Sequence, residues 1–211
     1  MTDSQSFCIL GKNMAIIVDK LQKKRNIALS CEALLLAKGI KNLTIAEIAK
    51  TAGVGKGTIY EYFKNKDEIV FEIITLIIEQ QQIKLADIMA VEKSTKAKLY
   101  DFLSLLHQES EREHIQLYRE FIAISMQSAT PEMVAFSSRC HTSFIDIIQE
   151  LLQTGINRGE ILPQSLGLAD TIMVYATGLV VESQLIEMDA LAHIEQMLES
   201  LFDIIEIKEE R

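Results

Sequence analysis

The chain has 211 residues, room for one large domain or a small domain joined to a larger one, and its formal charge of −9 taken whole argues against a nucleic-acid binder. Hydrophobic residues at 48% can fill a sizeable core, while two prolines, nine glycines, no tryptophan and 6% aromatics argue against a turn-rich β-sandwich or barrel. The charge is unevenly placed: residues 1–66 carry eleven Lys/Arg against five Asp/Glu, a balance of +6, and the remainder carries −15.

Residues 1–18 read as an N-terminal extension. Its apolar run Phe7–Val18 is interrupted by Gly11, Lys12 and Asn13 and preceded by Asp3, unlike the basic start and unbroken apolar stretch of a secretory signal. A basic helical pattern begins soon after Met14, which makes Met14 an alternative start to Met1. Cys8, Cys31 and Cys140 are odd in number and share no CxxC spacing, so the expectation is a reducing cytoplasm and no disulfide framework. No apolar run reaches the length of a membrane span, since Ile73–Ile78 soon meets Glu79 and three glutamines.

Behind the extension nearly everything has helical spacing, which predicts an all-α chain of about nine helices. The first covers Asp19 to Lys38 and stops at Gly39. The second starts at Thr44, with Glu47 completing a capping box, and runs to Thr51. Ala52-Gly53-Val54 makes a turn, a short helix covers Gly55–Phe63, and Asn65 with Glu68 caps a long helix over Lys66–Ala90. Further helices follow at Thr95–Glu109, Glu111–Ser128 and Thr130–Thr154, the last opened by Thr130-Pro131-Glu132. Gly155 through Ser165 is the clearest break, and two helices at Leu166–Met188 and Asp189–Lys208 close the chain.

Two short helices joined by a glycine turn, with polar residues on the second, describe a helix-turn-helix. Ile48, Ala49, Ala52, Val54 and Ile59 supply the small apolar contacts that let the helices cross. Lys56, Thr58, Tyr60 and Lys64 remain at the start and outer face of the second helix, which in such a unit enters the major groove of DNA.

The stretch Ile27 to Ile69 resembles the TetR-type transcriptional regulators. The residues that carry the resemblance are Gly39, Leu43-Thr44-Ile45, Ile48-Ala49, Ala52 through Tyr60, Phe63 and Asn65-Lys66-Asp67, about a fifth of the chain. Gly55 stands where the family often has serine, and Leu35 where phenylalanine is frequent. The resemblance implies an all-α homodimer: residues 19–66 form the helix-turn-helix DNA-binding domain, and 67–211 a helical ligand-binding and dimerisation domain. It implies that Thr44, Tyr60 and Lys66 bond phosphates and that Lys56, Gly57 and Thr58 sit on the groove floor, with Gly55 and Lys64 on the same surface. Phosphate contacts position such a protein and base-edge contacts specify sequence, so Lys56 is the candidate donor to guanine. Lys20, Lys23, Lys24 and Arg25 lie within reach of adjacent phosphates.

For the dimer interface the expected seam is Leu191, Ile194, Leu198, Leu201 and Ile205, facing Ile172, Ala176 and Leu179 of the preceding helix. Two such helices per subunit make an intersubunit four-helix bundle, with reading heads about 34–36 Å apart. The candidate ligand pocket takes its apolar walls from Phe102, Leu106, Phe121 and Phe144 and its polar groups from Tyr118, Arg139, His141 and Tyr175. A buried Arg119 would pair with an acid such as Glu120 or face a ligand.

His107, Glu111 and His114 fall at helical spacing, but the strongly polar segment around them reads as an exposed helix junction, and Cys140-His141 lacks further ligands, so no metal is expected. Gly53, Gly55 and Gly57 do not follow a strand, and GxSxG and HExxH do not occur, so no enzyme and no cofactor are expected. The sequence therefore reads as a cytoplasmic regulator that binds a palindromic double-stranded operator and is released by a small apolar or amphipathic effector, with no membrane partner. The alternatives are a DNA-bound regulator controlled by a protein partner and an all-α enzyme or carrier.

Overall fold

Scarce glycine and proline let helices run long here, and where the chain turns a cap or a positive-φ glycine marks the place. The computed structural model describes residues 19–208; the extension expected over 1–18, with Cys8 and the alternative start at Met14, lies outside the described residues. Among the described residues there are ten α-helices, three short 3-10 turns and no strand, beyond a single backbone bridge between Ile161 and Glu206. The chain divides into two compact units between Ile78 and Glu79, twelve residues beyond the boundary expected at 66.

The first unit holds α1 (residues 19–30), α2 (Glu32–Asn42), α3 (Ile45–Thr51), α4 (Lys56–Tyr62) and the opening turns of α5 (Lys66–Ala90). The single helix expected over Asp19–Lys38 is broken at Cys31, whose N–H turns to Ala28 O at 2.9 Å. Gly39 does interrupt the helix as its type suggests, at φ 76°, but one more turn follows before Leu43. Thr44 caps α3 by accepting from Glu47 N–H at 3.3 Å, and its hydroxyl donates to Glu47 Oε2 at 2.8 Å. Gly53 turns the chain at φ 66°, a backbone conformation open chiefly to glycine. Asn65 caps α5 by accepting from Glu68 N–H at 2.9 Å. Leu35, Ile48, Ile59, Phe63, Ile69 and Ile73 are buried, and α5 gives its residues as far as Ile78 to this unit, which moves the boundary.

The second unit holds the rest of α5, then α6 (Thr95–Ser104), the 3-10 turns Leu105–His107 and Glu109–Glu111, α7 (Arg112–Ser128) and α8 (Pro131–Asn157). The 3-10 turn Pro163–Leu168, α9 (Ala169–Leu185) and α10 (Ala190–Ile205) follow. Its core gathers Leu99, Leu103, Ile148, Leu151, Leu152, Ile194, Leu198 and Phe202. The break expected from Gly155 is displaced: α8 runs through that glycine to Asn157, and the turn is made by Gly159 at φ 71°. Gly155 is needed for space, because a Cβ there would lie 2.2 Å from Thr95 Oγ1. Asp189 caps α10 by accepting from Leu191 and Ala192 N–H at 3.1 Å. Among the described residues one segment, Pro163–Ser183, is long and apolar enough to pass for a membrane span by length and composition, a test that a core helix also passes.

Candidate functional site

The short helix α4 sorts its residues by face. Ile59 points into the first unit and is fully buried, Thr58 is half-buried, and Lys56, Gly57 and Tyr60 are exposed, Tyr60 by 60%; Lys64, beyond the end of α4, is exposed too. Gly55 sits at the N-cap with no side chain to cap α4, so the absent serine costs that helix one local bond. Gly57 has ordinary helical backbone and a Cβ built on it meets nothing within 4 Å. Among the described residues nothing crowds that position. A glycine in a helix costs about 0.5–1 kcal/mol relative to alanine.

Two of the expected phosphate donors are already engaged. The Thr44 hydroxyl is taken up with Glu47, whose carboxyl lies below the ordinary value because Lys38, the Thr44 hydroxyl and the Thr44 N–H all favour its charged form. Lys66 Nζ donates to Ile40 O at 3.0 Å and to Lys41 O at 3.4 Å, tying the end of α2 to the start of α5. In the basic cluster before them, Lys24 pairs with Glu72 at 3.2 Å and lies over the Phe63 ring, and Lys20 lies 6.0 Å from the Tyr62 ring. Lys56, Gly57 and Tyr60 thus share one exposed face of α4, while Thr44 and Lys66 stitch the unit together.

In the second unit the expected pocket residues scatter. Phe102 and Phe121 are buried, and Leu106, Tyr118, Phe144 and Tyr175 are half-buried. Burial pushes the Tyr118 phenol up, against a hydrogen bond to Thr177, and burial also raises Tyr175, whose hydroxyl is buried without a partner. Arg139 and His141 do not belong with them. Both are exposed on α8, Arg139 stacking 5.9 Å from the Phe136 ring and His141 lying 4.0 Å from Asp170. They share a helix with the pocket candidates but occupy its outer side. Arg119 donates to Val180 O at 2.8 Å and to Ser183 Oγ at 3.1 Å, which holds its charge against α9.

The expected dimer seam is also corrected. Ile172, Leu179, Ile194, Leu198 and Ile205 are buried within the single chain and pack in its own core, so they have no surface left for a partner. Ala176 and Leu201 are half-buried, and Leu191 alone of the set is exposed. The apolar residues that do face outward lie further round the same helices: Val174 (66% exposed) and Leu185 (76%) flank Gly178 on α9, and Ile204 (75%) stands on α10. An amphipathic period gives a face but does not say whether the same chain or a second copy covers it.

A polar cluster that the sequence reading singled out only in part, and placed on the surface, is buried. The segment read as an exposed junction contains Glu111, which is buried and held by Lys84, Gln81 and His114. Burial pushes the Glu111 carboxyl up, but hydrogen bonds from Lys84, His114 and Gln81 outweigh it and bring the group below its ordinary value. His107 is lowered by burial and by the charge of Arg119. The partners of Glu111 lie up to thirty positions away, and the one local sign was the three-residue step from Glu111 to His114.

Residues 31–73 match the family described as bacterial regulatory proteins, tetR family. An HTH-type transcriptional regulator of Bacillus subtilis (strain 168), YhgD, itself uncharacterized, is 30% identical over 127 residues, covering 59% of this chain and 64% of its own length. SrpR of Pseudomonas putida, also an HTH-type transcriptional regulator, is 26% identical over 152 residues, covering 70% of this chain and 68% of its own. Among solved structures, FadR of Bacillus subtilis in complex with stearoyl-CoA superposes with a TM-score of 0.63 at 23% identity, covering 83% of this chain and 96% of that one.

Proposed function

We propose that this chain, which belongs to the TetR family of bacterial regulatory proteins, binds a palindromic operator as a homodimer and is released from it by a small apolar or amphipathic effector. The observation that carries the DNA-binding part is the exposed face of α4, where Lys56, Gly57 and Tyr60 stand together and Gly57 leaves open space beside the backbone. Lys56 reads a base edge, Tyr60 bonds a phosphate, and Gly57 lets the backbone come close to the groove floor. In the dimer the outward residues Val174, Gly178, Leu185 and Ile204 meet their copies, the small glycine admitting close helix approach. This placement also gives the apolar segment Pro163–Ser183 a cover other than lipid and suits a protein working in the cytoplasm.

Release requires the effector to favour one conformer over the other, since a ligand shifts a two-state equilibrium only by its difference in affinity. Helix α5 is the natural carrier of that difference, because one helix supplies residues to both units. Stearoyl-CoA in the FadR neighbour is an amphipathic molecule, which supports an effector of that kind here.

The test is a pair of variants assayed against selected operator fragments at fixed salt. Tyr60→Phe is expected to weaken binding evenly across sequences. Lys56→Ala is expected to cost about 1–3 kcal/mol and to relax preference at one position in each half-site. Unchanged operator affinity in both variants would overturn α4 as the recognition helix.

A further inference from the structure

The buried cluster in the second unit has one polar atom left over. Gln81 and Lys84 come from α5, Glu111 from the turn Glu109–Glu111, and His114 from the first turn of α7. Glu111 is 2% exposed and Gln81 4%, so both are more than nine-tenths buried. Gln81 Nε2 donates to Glu111 Oε2 at 2.6 Å, His114 Nδ1 lies 2.8 Å from the same oxygen, and Lys84 Nζ donates to Glu111 Oε1. Chemistry fixes which way the Gln81 amide faces, because turning it over would set its carbonyl oxygen against a carboxylate. With the nitrogen on Glu111, Gln81 Oε1 is aimed elsewhere, and it is buried with no hydrogen-bond partner. Folded proteins pair nearly all such atoms, with protein, ordered water or a ligand.

We propose that Gln81 Oε1 is the polar anchor of the effector site, and that the effector is an uncharged amphiphile presenting a hydroxyl or amide N–H to it. The inference rests on the ligand-released reading above and adds the chemistry of the ligand. An acceptor can be matched only by a donor, so ethers, esters and ketones gain nothing at this point. A carboxylate effector would bring negative charge to an acceptor oxygen beside the buried Glu111. An ammonium would find Glu111 already matched by Lys84, and its own charge would be buried without a counter-ion. One turn along α5 the buried Leu85 provides an apolar neighbour, as an amphiphile with a single polar head requires.

The experiment uses the full chain on its operator with four probes small enough to enter most cavities: phenol, anisole, benzoate and benzylamine. Operator release and thermal shift are measured for the wild-type protein and for Gln81→Met, which keeps the length of the side chain and removes the acceptor together with the Nε2 donor to Glu111, whose bonds from Lys84 and His114 remain. Phenol is expected to act at roughly three- to tenfold lower concentration than anisole, the worth of one hydrogen bond, with benzoate and benzylamine weaker than phenol. In Gln81→Met the preference for phenol is expected to vanish while the response to anisole persists. Operator release with phenol and anisole equally effective on the wild type, a result that needs no variant to fold, overturns the inference and leaves the ligand-released reading standing. So does a preference that survives Gln81→Met, since Oε1 then holds solvent only. If no probe changes operator affinity or melting, both the inference and the ligand-released reading fall.

Discussion

The helix-turn-helix unit and the unit that follows it in the chain both mix local caps with long-range polar contacts, but the second reaches further along the chain. In the first, Thr44 bonds Glu47 and Asn65 bonds Glu68, each three residues on, and the longer reaches include Cys31 to Ile48 across 17 positions, Lys66 to Ile40 across 26 and the ion pair of Lys24 with Glu72. In the second, Gln81 meets Glu111 across 30 positions, Arg119 meets Ser183 across 64 and Thr95 meets Glu160 across 65. Local bonds leave a signature in sequence because helix geometry sets their spacing. Long-range bonds leave none, because the spacing is set by how helices happen to stack. The functional surfaces follow the same division: the candidate DNA contacts are exposed and close in sequence, while the candidate effector anchor is buried and assembled from three elements.

The sharpest way to break this contrast is to ask which apolar residues of α9 and α10 belong to the single chain. Leu198→Ala is expected to destabilise the second unit by about 2–5 kcal/mol through the cavity it leaves. Ile204→Glu, on an exposed site, is expected to keep chain stability within about 0.5 kcal/mol and to reduce self-association. Denaturant unfolding gives the first quantity and sedimentation the second. If Leu198→Ala dissociated the dimer with no loss of chain stability, the seam read from the sequence would be right and its assignment to the core wrong.

A smaller effect tests the long-range packing around Thr95. Gly155→Ala places a methyl group 2.2 Å from Thr95 Oγ1, and overpacking of this kind is expected to cost about 1–3 kcal/mol. Thr95→Ala in the same chain is expected to restore part of that loss, because it removes the two nearest atoms, Oγ1 at 2.2 Å and Cγ2 at 2.9 Å. Urea unfolding of the two single variants and the double variant measures the coupling. Additive losses would show that the α6–α8 contact at this point is looser than the distances imply.

These glycines also explain how far the sequence could be read. Gly53 lies in a turn and Gly159 in the main break, where both were expected, since each needs a positive φ. Gly155 was assigned to the same break although it is a packing glycine inside α8, and a sequence writes both kinds with the same letter. The caps at Thr44, Asn65 and Thr130 were legible for the reason given above, that their partners lie three residues away, whereas Asp189 was read only as the first residue of its helix. Glu111 was misplaced on the surface because its own neighbours are polar while its partners Gln81 and Lys84 sit on another helix. The seam through Leu198 was correctly seen as apolar, and only the identity of what covers it was missed.

Gly57 offers a small effect on stability and the clearest separation of folding from function. Its φ is negative, its helix is short, and a Cβ there would touch nothing within 4 Å. Gly57→Ala is therefore expected to stabilise the first unit by about 0.4–1 kcal/mol, since alanine loses less backbone freedom on folding. If the open space beside Gly57 is where the backbone approaches the groove floor, the same methyl group is expected to weaken operator binding several-fold. Thermal melting and operator titration on one preparation read both quantities, and their signs should be opposite. A variant that melted higher and bound operator as well as before would place the closest DNA approach elsewhere on α4, leaving Lys56 and Tyr60 to carry the interface without it.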